Sequence, residues 1–572
     1  MRIIKSLLSG VFCLFLTSQP LFAQKFVRVN QIGYLANMPK YAMVAGFNAS
    51  SYEIRNAKND EVVYQGTISD TDGKYWNLSK ETIQEFDFSD FQKPGEYYIQ
   101  IGTEMSYVFT IQEKDLFREL SQSVIRAFYY WRSSCAIEAP YSLFRGKDFS
   151  RPMGHPDTMV FIHKTAASTD RHVGQVVSSP KGWYDAGDYN KYVVNAGITL
   201  HQMLTAYQLF PDYYNHLLLN IPQDGDSSWC DYYREIRWET DWLLTMQDPA
   251  DGGVYHKLTT LRFSGFVMPH EDVADRYMIR KSTAAALDFA AVMAKLSYTF
   301  KEVDPAYCKK ALTAAVRAWN WAEKNPAVLY QNPEDVRTGS YADDDVSDEF
   351  FWAASELLVA TGEKKYYEKL DFFRKFDIPQ WRYVNSLGLL SLRQNMDRLP
   401  KFVDKETIQR KFHSLAQSTY NLFSFSAGRV ALKHFEWGSN GDIAMNGGIL
   451  GLAYLLEGDE KYKTAMLGNF DYLMGANPTD YCFVSVFGNK CPKNLHDRRS
   501  SADGITEAIP GYLCGGANAN QVSDCGRSNY PSTAPARCYL DEQCSYSTNE
   551  IAVNWNAPLV LLTAMVENIA EK

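Results

Sequence analysis

The chain is short of several things, and each shortage excludes something. After residue 23 no apolar run reaches the roughly 20 residues that a membrane-spanning helix needs, so no membrane span is expected in the mature chain. Positive charge is not in excess. Lys and Arg number 58 against 67 Asp and Glu, a formal net charge of -9, which argues against nucleic acid or an anionic membrane as partner. No C-x-x-C pair occurs, so a zinc cluster built on paired thiolates is disfavoured. Neither a low-complexity linker nor a strict internal repeat is present, which disfavours a solenoid.

What is present is bulk and aromatic surface. The 572 residues are too many for one ordinary core, and hydrophobic residues make up 46% of them. Aromatics reach 14%, a content suited to carbohydrate binding as well as to a packed core. Arg2 and Lys5, the apolar run Leu7 to Leu16, and Leu21-Phe-Ala23 form a secretory signal peptide over 1–23, so a secreted or periplasmic location is expected. Cys13 leaves with it. Six of the nine remaining cysteines fall between Cys482 and Cys544, where local disulfides are expected to tie down C-terminal loops. An odd number leaves at least one thiol unpaired, and the pairing stays open.

Residues 24–113 carry short alternating apolar runs with turn signals between them, such as Tyr97, Ile99 and Ile101 after Pro94-Gly95. They predict a small antiparallel β-sandwich. From 114 to 572 the period is mainly helical. About twelve helices are expected, including 116–132, 193–210, 305–323, 345–361, 364–376, 381–393, 404–421, 441–456, 459–474 and 553–570, a count compatible with six helix pairs. Long loops at 133–192, 248–281, 325–344 and 475–550 interrupt them, and long loops in a compact domain are usually functional.

Three of these stretches carry chemistry. Gly182-Trp-Tyr-Asp-Ala-Gly-Asp-Tyr189 places Asp185 and Asp188 three residues apart, between glycines that permit a tight turn and among aromatics that suit sugar faces. Alone it also reads as a capped turn. Asn494-Leu-His496-Asp-Arg498 sets an imidazole two residues from a guanidinium. Glu550 stands just before a predominantly apolar helix, where a helix dipole alone would favour it. Together the carboxylates suit a hydrolase in which one activates water and another protonates a leaving oxygen.

At this point the chain resembles glycoside hydrolase family 9 over nearly its whole mature length. Gly182 to Asp188 is similar to that family's water-activating motif. Phe483-Val-Ser485 through Gly488, Lys490 and His496-Asp-Arg498 is similar to its histidine motif, with Cys482 where Ser, Thr or Val is usual. Tyr539, Asp541, Tyr546, Glu550, Ala552, Asn556 and Ala557 match its acidic motif. Val29-Asn-Gln-Ile-Gly-Tyr34 resembles the immunoglobulin-like domain of one branch. The resemblance implies a mainly α fold, an (α/α)6 barrel preceded by an immunoglobulin-like β-sandwich, and hydrolysis with inversion. Such a pair of carboxyl groups leaves room for a water, ~6.5–9.5 Å apart.

It further implies Asp188 as general base, Asp185 as its partner on the water, Glu550 as general acid, His496 and Arg498 as sugar-binding groups, and Asp541 in support. Tyr255, His256, Trp381, Trp437 and Trp555 are candidates for a sugar platform, with Trp555 foremost; Trp352 is assigned to the core. The acidic run Asp344, Asp345, Asp348 and Glu349 resembles a structural calcium site as much as it does an acidic helix start. Cys135, His155 and His163 resemble an incomplete zinc set, with Gly154 where a second cysteine belongs. No cofactor is expected for the chemistry. The expected substrate is a cellulose-like β-1,4-glucan, xyloglucan or mixed-linkage glucan, cut internally by a monomer. The rivals are an exo-acting glycosidase or glucosaminidase on short oligosaccharides, and a non-catalytic carbohydrate-binding protein.

Overall fold

The structure, a computed structural model, describes residues 25–69, 73–520 and 522–569. The signal peptide expected over 1–23 lies outside the described residues.

The N-terminal part is a sandwich of two sheets. One runs Val27–Arg28, Tyr41–Ala45, Glu81–Asp87, Lys74–Trp76; the other runs Gly33–Leu35, Phe109–Gln112, Gly95–Ile101, Ser51–Asn56, Val62–Thr67, with Glu104–Met105 paired to Gly95–Ile101. The alternation in Gly95–Ile101 buries Tyr97, Ile99 and Ile101 and turns Glu96, Tyr98 and Gln100 outward, as a pleat requires. The sandwich is pinned to the helical part by buried polar contacts. Asn30 donates to Asp471 (2.9 Å). The Gln31 amide donates to the Asp480 carbonyl (2.6 Å) and accepts from the backbone N–H of Asn489 and Lys490 (2.8 and 2.9 Å). Arg429 lies 3.7 Å from the Tyr41 ring centroid and pairs with Glu85.

The helical part is an (α/α)6 barrel. Its inner helices are Val193–Leu209, Thr283–Thr299, Ser347–Thr361, Asn385–Gln394, Ser439–Glu457 and Val553–Ile569. They are buried almost all round; in Thr283–Thr299 only the last residue escapes. Outer helices such as Pro305–Lys324 and Lys405–Ser424 bury a single stripe, the pattern of a helix with one face to water. Successive inner helices pack side by side except at one seam. There Asn385–Gln394 and Ser439–Glu457 are joined mainly through the outer helix Lys405–Ser424. Caps match the sequence: Asp304 before Pro305, and Ser282 and Asp404, each accept from a first-turn N–H.

Two expectations change. The helix expected over 364–376 is only Lys364–Tyr367, and the next begins at Asn385. Asp371 and Asp377 bind their own downstream amides and so offer the backbone an alternative to helix. The long loops 133–192 and 248–281 are not wholly irregular. They supply a five-stranded sheet in the order Val176–Val177, Val160–Ile162, Arg276–Met278, Lys257–Thr259, Lys191–Tyr192, whose two- and three-residue strands are too short to show a period. Of the late cysteines, only Cys525 and Cys544 are bonded; Cys482, Cys491, Cys514 and Cys538 are free thiols.

Candidate active site

The segment 183–189 enters the end of the barrel between the first outer helix and the first inner one. Its aromatics turn inward rather than toward a ligand: Trp183, Tyr184 and Tyr189 are buried. The Trp183 indole N–H donates to Glu235 (2.7 Å), and the Tyr184 N–H to the Trp131 carbonyl (2.9 Å). The aromatic density noted in the sequence therefore anchors the loop, and the sugar-facing role does not belong to these rings.

The loop holds its two carboxylates differently. Asp185 accepts from Asn195 and from the Tyr341 hydroxyl, both at 2.6 Å. Burial, and then the neighbouring Asp188, raise its carboxyl above the usual range. Asp188 accepts from the Asn190 amide. The amide has one orientation, because its oxygen accepts from the Thr259 hydroxyl (2.8 Å) and the Thr260 N–H (3.0 Å).

Backbone contacts bring the three motifs edge to edge. Ala186 bridges Ala552, and His496 bridges Glu550. The Val553 N–H donates to the Asp185 carbonyl (2.9 Å), and the His496 N–H to the Asn549 carbonyl (3.0 Å). Gly187 permits this closeness, since a Cβ there would stand 2.1 Å from the His496 carbonyl oxygen. The Arg498 N–H and Nη1 both donate to the Gly187 carbonyl, at 3.1 and 2.8 Å. Ala552, two residues after Glu550, is thus bridged to the Asp185–Asp188 loop, and Glu550 itself to the histidine motif. Burial first, and then Asp188 and Asp185, push its carboxyl well above the usual range, with Arg498 opposing. A carboxyl so raised keeps its proton.

His496 Nδ1 faces the Gln543 carbonyl at 2.7 Å, so Nδ1 carries the proton and Nε2 is left as an acceptor. Burial lowers its pKa, which keeps the ring neutral. Its ring begins an aromatic wall: Phe266 lies at 5.2 Å on one side, Tyr546 at 5.8 Å on the other, and Trp437 at 5.4 Å beyond Tyr546. Phe266, Tyr546 and Trp437 are exposed. Phe263 and Phe266 flank the Arg498 guanidinium. Trp381 packs edge-on against Tyr341 at 5.2 Å, one hydrogen bond from Asp185. Phe266 and Tyr341 had no signal in the sequence beyond their position in long loops.

Other expectations are redirected. Asp541 accepts from the N–H groups of Lys493 and Asn494 and from the Asn549 amide; it clamps the histidine loop to the acidic one. Tyr255 and His256 are fully buried. His256 stacks on Tyr330 at 3.6 Å and bonds Ser282 and Ser340, while Tyr255 bonds Asp248, so neither offers a face to a sugar. The half-buried Trp555 ring is enclosed by Gly438, Gly441 and Gly515, where added Cβ atoms would stand 2.5, 2.6 and 3.2 Å from it; it supports the Trp437 turn instead of standing open. Trp352 is in the core.

The calcium candidates divide. Asp344 and Asp345 are exposed, and Asp345 is committed to Ser347, whereas Asp348 and Glu349 are buried and Asp348 accepts from the Val384 N–H. Among the described residues no group of three or more His, Cys, Asp or Glu is placed to hold a metal ion. Of the incomplete zinc set, Cys135 is a free thiol, His155 Nδ1 bonds Tyr184 and its other nitrogen lies 3.4 Å from Asp272, and His163 bonds Thr165 and Asp335.

A helical barrel with carboxyl groups facing each other across its end, walled by aromatics, defines a glycoside hydrolase. The model of glycosyl hydrolase family 9 matches residues 117–563, and that of the cellulase N-terminal ig-like domain matches 23–106. The chain belongs to family 9. It is 39% identical over 588 residues to a xyloglucan-specific endo-beta-1,4-glucanase of Bacteroides ovatus, covering 99% of this chain and 97% of that one. It is 32% identical over 550 residues to endoglucanase D of Acetivibrio thermocellus, covering 94% and 83%. A solved family 9 structure from Bacteroides ovatus superposes with a TM-score of 0.86 at 36% identity, over 95% of this chain and 99% of that one.

Proposed function

We propose that this chain is an exported, monomeric endo-β-1,4-glucanase that cuts a xylosyl-branched glucan of the xyloglucan type with inversion. The observation that carries the mechanism is the pair of backbone bridges, Ala186 to Ala552 and His496 to Glu550, that hold two carboxylates opposite a third. The branched substrate rests on the 39% identity across 99% of the chain to a relative of that specificity. In this reading Asp188 takes a proton from water while Asp185 holds the same water. Glu550, protonated because it is buried beside two acids, passes its proton to the leaving oxygen. His496 Nε2 accepts from a sugar hydroxyl. Arg498 Nη2, which makes no hydrogen bond among the described residues, donates to another. Trp437, Tyr546, Phe266 and Trp381 carry the sugar faces.

Glu550→Gln and Asp188→Asn should each abolish turnover while leaving the thermal midpoint near wild type; retained activity in both would refute the assignment. NMR of the first anomer released reads the stereochemistry, and a retained configuration would contradict inversion. Mid-length oligomers among the early products indicate internal cuts, whereas monomers or dimers alone would favour the exo-acting rival.

A further inference from the structure

The seam between the inner helices Asn385–Gln394 and Ser439–Glu457 holds a cavity of about 700 Å³, within the range of small-molecule sites, ~300–1,000 Å³. One wall is the exposed-to-buried edge of the outer helix Lys405–Ser424, including Ser418; the others are the turns before the two inner helices. Gln380 and Glu436 line it, and the residues that follow them are the two platform tryptophans, Trp381 and Trp437. Asp442, also in the lining, follows Gly441, against which Trp555 lies. The cavity is therefore lined by the chain neighbours of Trp381 and Trp437.

The chemistry of the lining is that of a neutral polyol site. At its inner end the Gln380 amide donates to one Asp442 oxygen at 2.9 Å. The other Asp442 oxygen makes no hydrogen bond among the described residues. Phe376, steadied at 5.3 Å by Phe351, and Leu432 supply apolar faces. Charges of both signs line it, Arg374, Lys375, Lys411 and Lys433 beside Asp377, Glu436 and Asp442, so it selects an ion of neither sign, and Lys375 is paired with Asp377. Paired polar acceptors beside an aromatic ring are what a pyranose or pentose needs: hydroxyls on its edge and an apolar face.

We infer that this cavity seats a sugar branch carried by the glucan backbone, so that the chain reads the side substituent as well as the main chain. The inference rests on the branched-glucan reading above, because a linear polymer has nothing to place there.

The test compares kcat/KM on a xylosyl-branched glucan and on a linear mixed-linkage glucan for the wild type, Ser418→Trp and Asp442→Asn. Ser418 is an exposed helix position, so a Trp there fills the cavity without entering the core. Both variants should lose about tenfold on the branched polymer, the worth of one good contact, and stay near wild type on the linear one. Equal losses on both polymers, or none on either, would overturn the inference. A wild type that cuts both polymers while the variants show no split refutes the cavity alone. A wild type that cuts the linear polymer and not the branched one refutes the substrate reading, and the cavity with it. Should Asp442→Asn fail to fold, Ser418→Trp decides the matter.

Discussion

Replacing Gly187 by alanine tests whether the meeting of the loops sets the catalytic geometry. The added methyl would stand 2.1 Å from the His496 carbonyl oxygen and 3.1 Å from its carbon, where real Cβ atoms essentially never come within 3.0 Å. The two backbones must then part by about 1 Å. Both Arg498 donations to the Gly187 carbonyl, at 3.1 and 2.8 Å, stretch with them, and Asp188 moves relative to Glu550. Misplacement of ~1 Å costs on the order of 100-fold in rate, and overpacking of this kind destabilises by ~1–3 kcal/mol. Steady-state kinetics on a soluble glucan should therefore show kcat down by about 100-fold, while thermal melting shows a folded protein with a modestly lower midpoint. Gly265→Ala is the matched control. It lies in the neighbouring Ser264–Phe266 turn with nothing within 4 Å of an added Cβ, and should behave as wild type. A Gly187→Ala enzyme with wild-type kcat would show that the contact between the loops does not position the reacting groups.

Other perturbations follow from the same geometry. Burial lifts Asp471 to about 7, with Asn30 opposing. A carboxyl raised on folding stabilises the folded state least when ionised, so its contribution falls as pH rises from about 4 to about 7. Asp471→Asn should flatten the dependence of the thermal midpoint on pH over that window, and an unchanged slope would refute the assignment. Gln31→Ala leaves one carbonyl and two N–H groups at the domain junction without their partner, a loss of roughly 3 kcal/mol that should lower the melting midpoint; an unaltered midpoint would mean the junction is not held there. Trp437→Ala removes an exposed face of the platform and should raise KM by about tenfold with little change in kcat, whereas an unchanged KM would take Trp437 out of the site.

The candidate catalytic groups stand out in the sequence because such chemistry forces residue type and local spacing. Asp185, Asp188, His496, Arg498 and Glu550 stand in short motifs, and the structure brings those motifs together. The residues that tune them do not stand out. Asn195 and Tyr341 reach Asp185 from 10 and 156 residues away, and nothing local marks a tyrosine in a loop as a carboxylate's donor. The platform was read with mixed results for a related reason. An aromatic residue looks the same in sequence whether it faces solvent, as Trp437 does, or stacks inside, as with Tyr330 on His256. The helices were legible from their apolar period, as in Phe289, Val292, Met293 and Leu296. The two-residue strands that organise the loops around Asp188 are shorter than any period that could reveal them.

The junction between the sandwich and the barrel has a consequence for the order in which the molecule can assemble. Asn30 and Gln31 find their partners 441 to 459 residues later, and the Phe117 N–H at the start of the first barrel helix meets Glu567, 450 residues on. At ~5–20 residues per second, synthesis separates these partners by roughly 20–90 s. The sandwich, whose core lies within residues 27–111, can form before those partners exist, but it cannot dock without them. The partners of Asn30 and Gln31 are complete by Lys490, and the partner of Phe117 only at Glu567, so docking of the sandwich can begin before the ring closes.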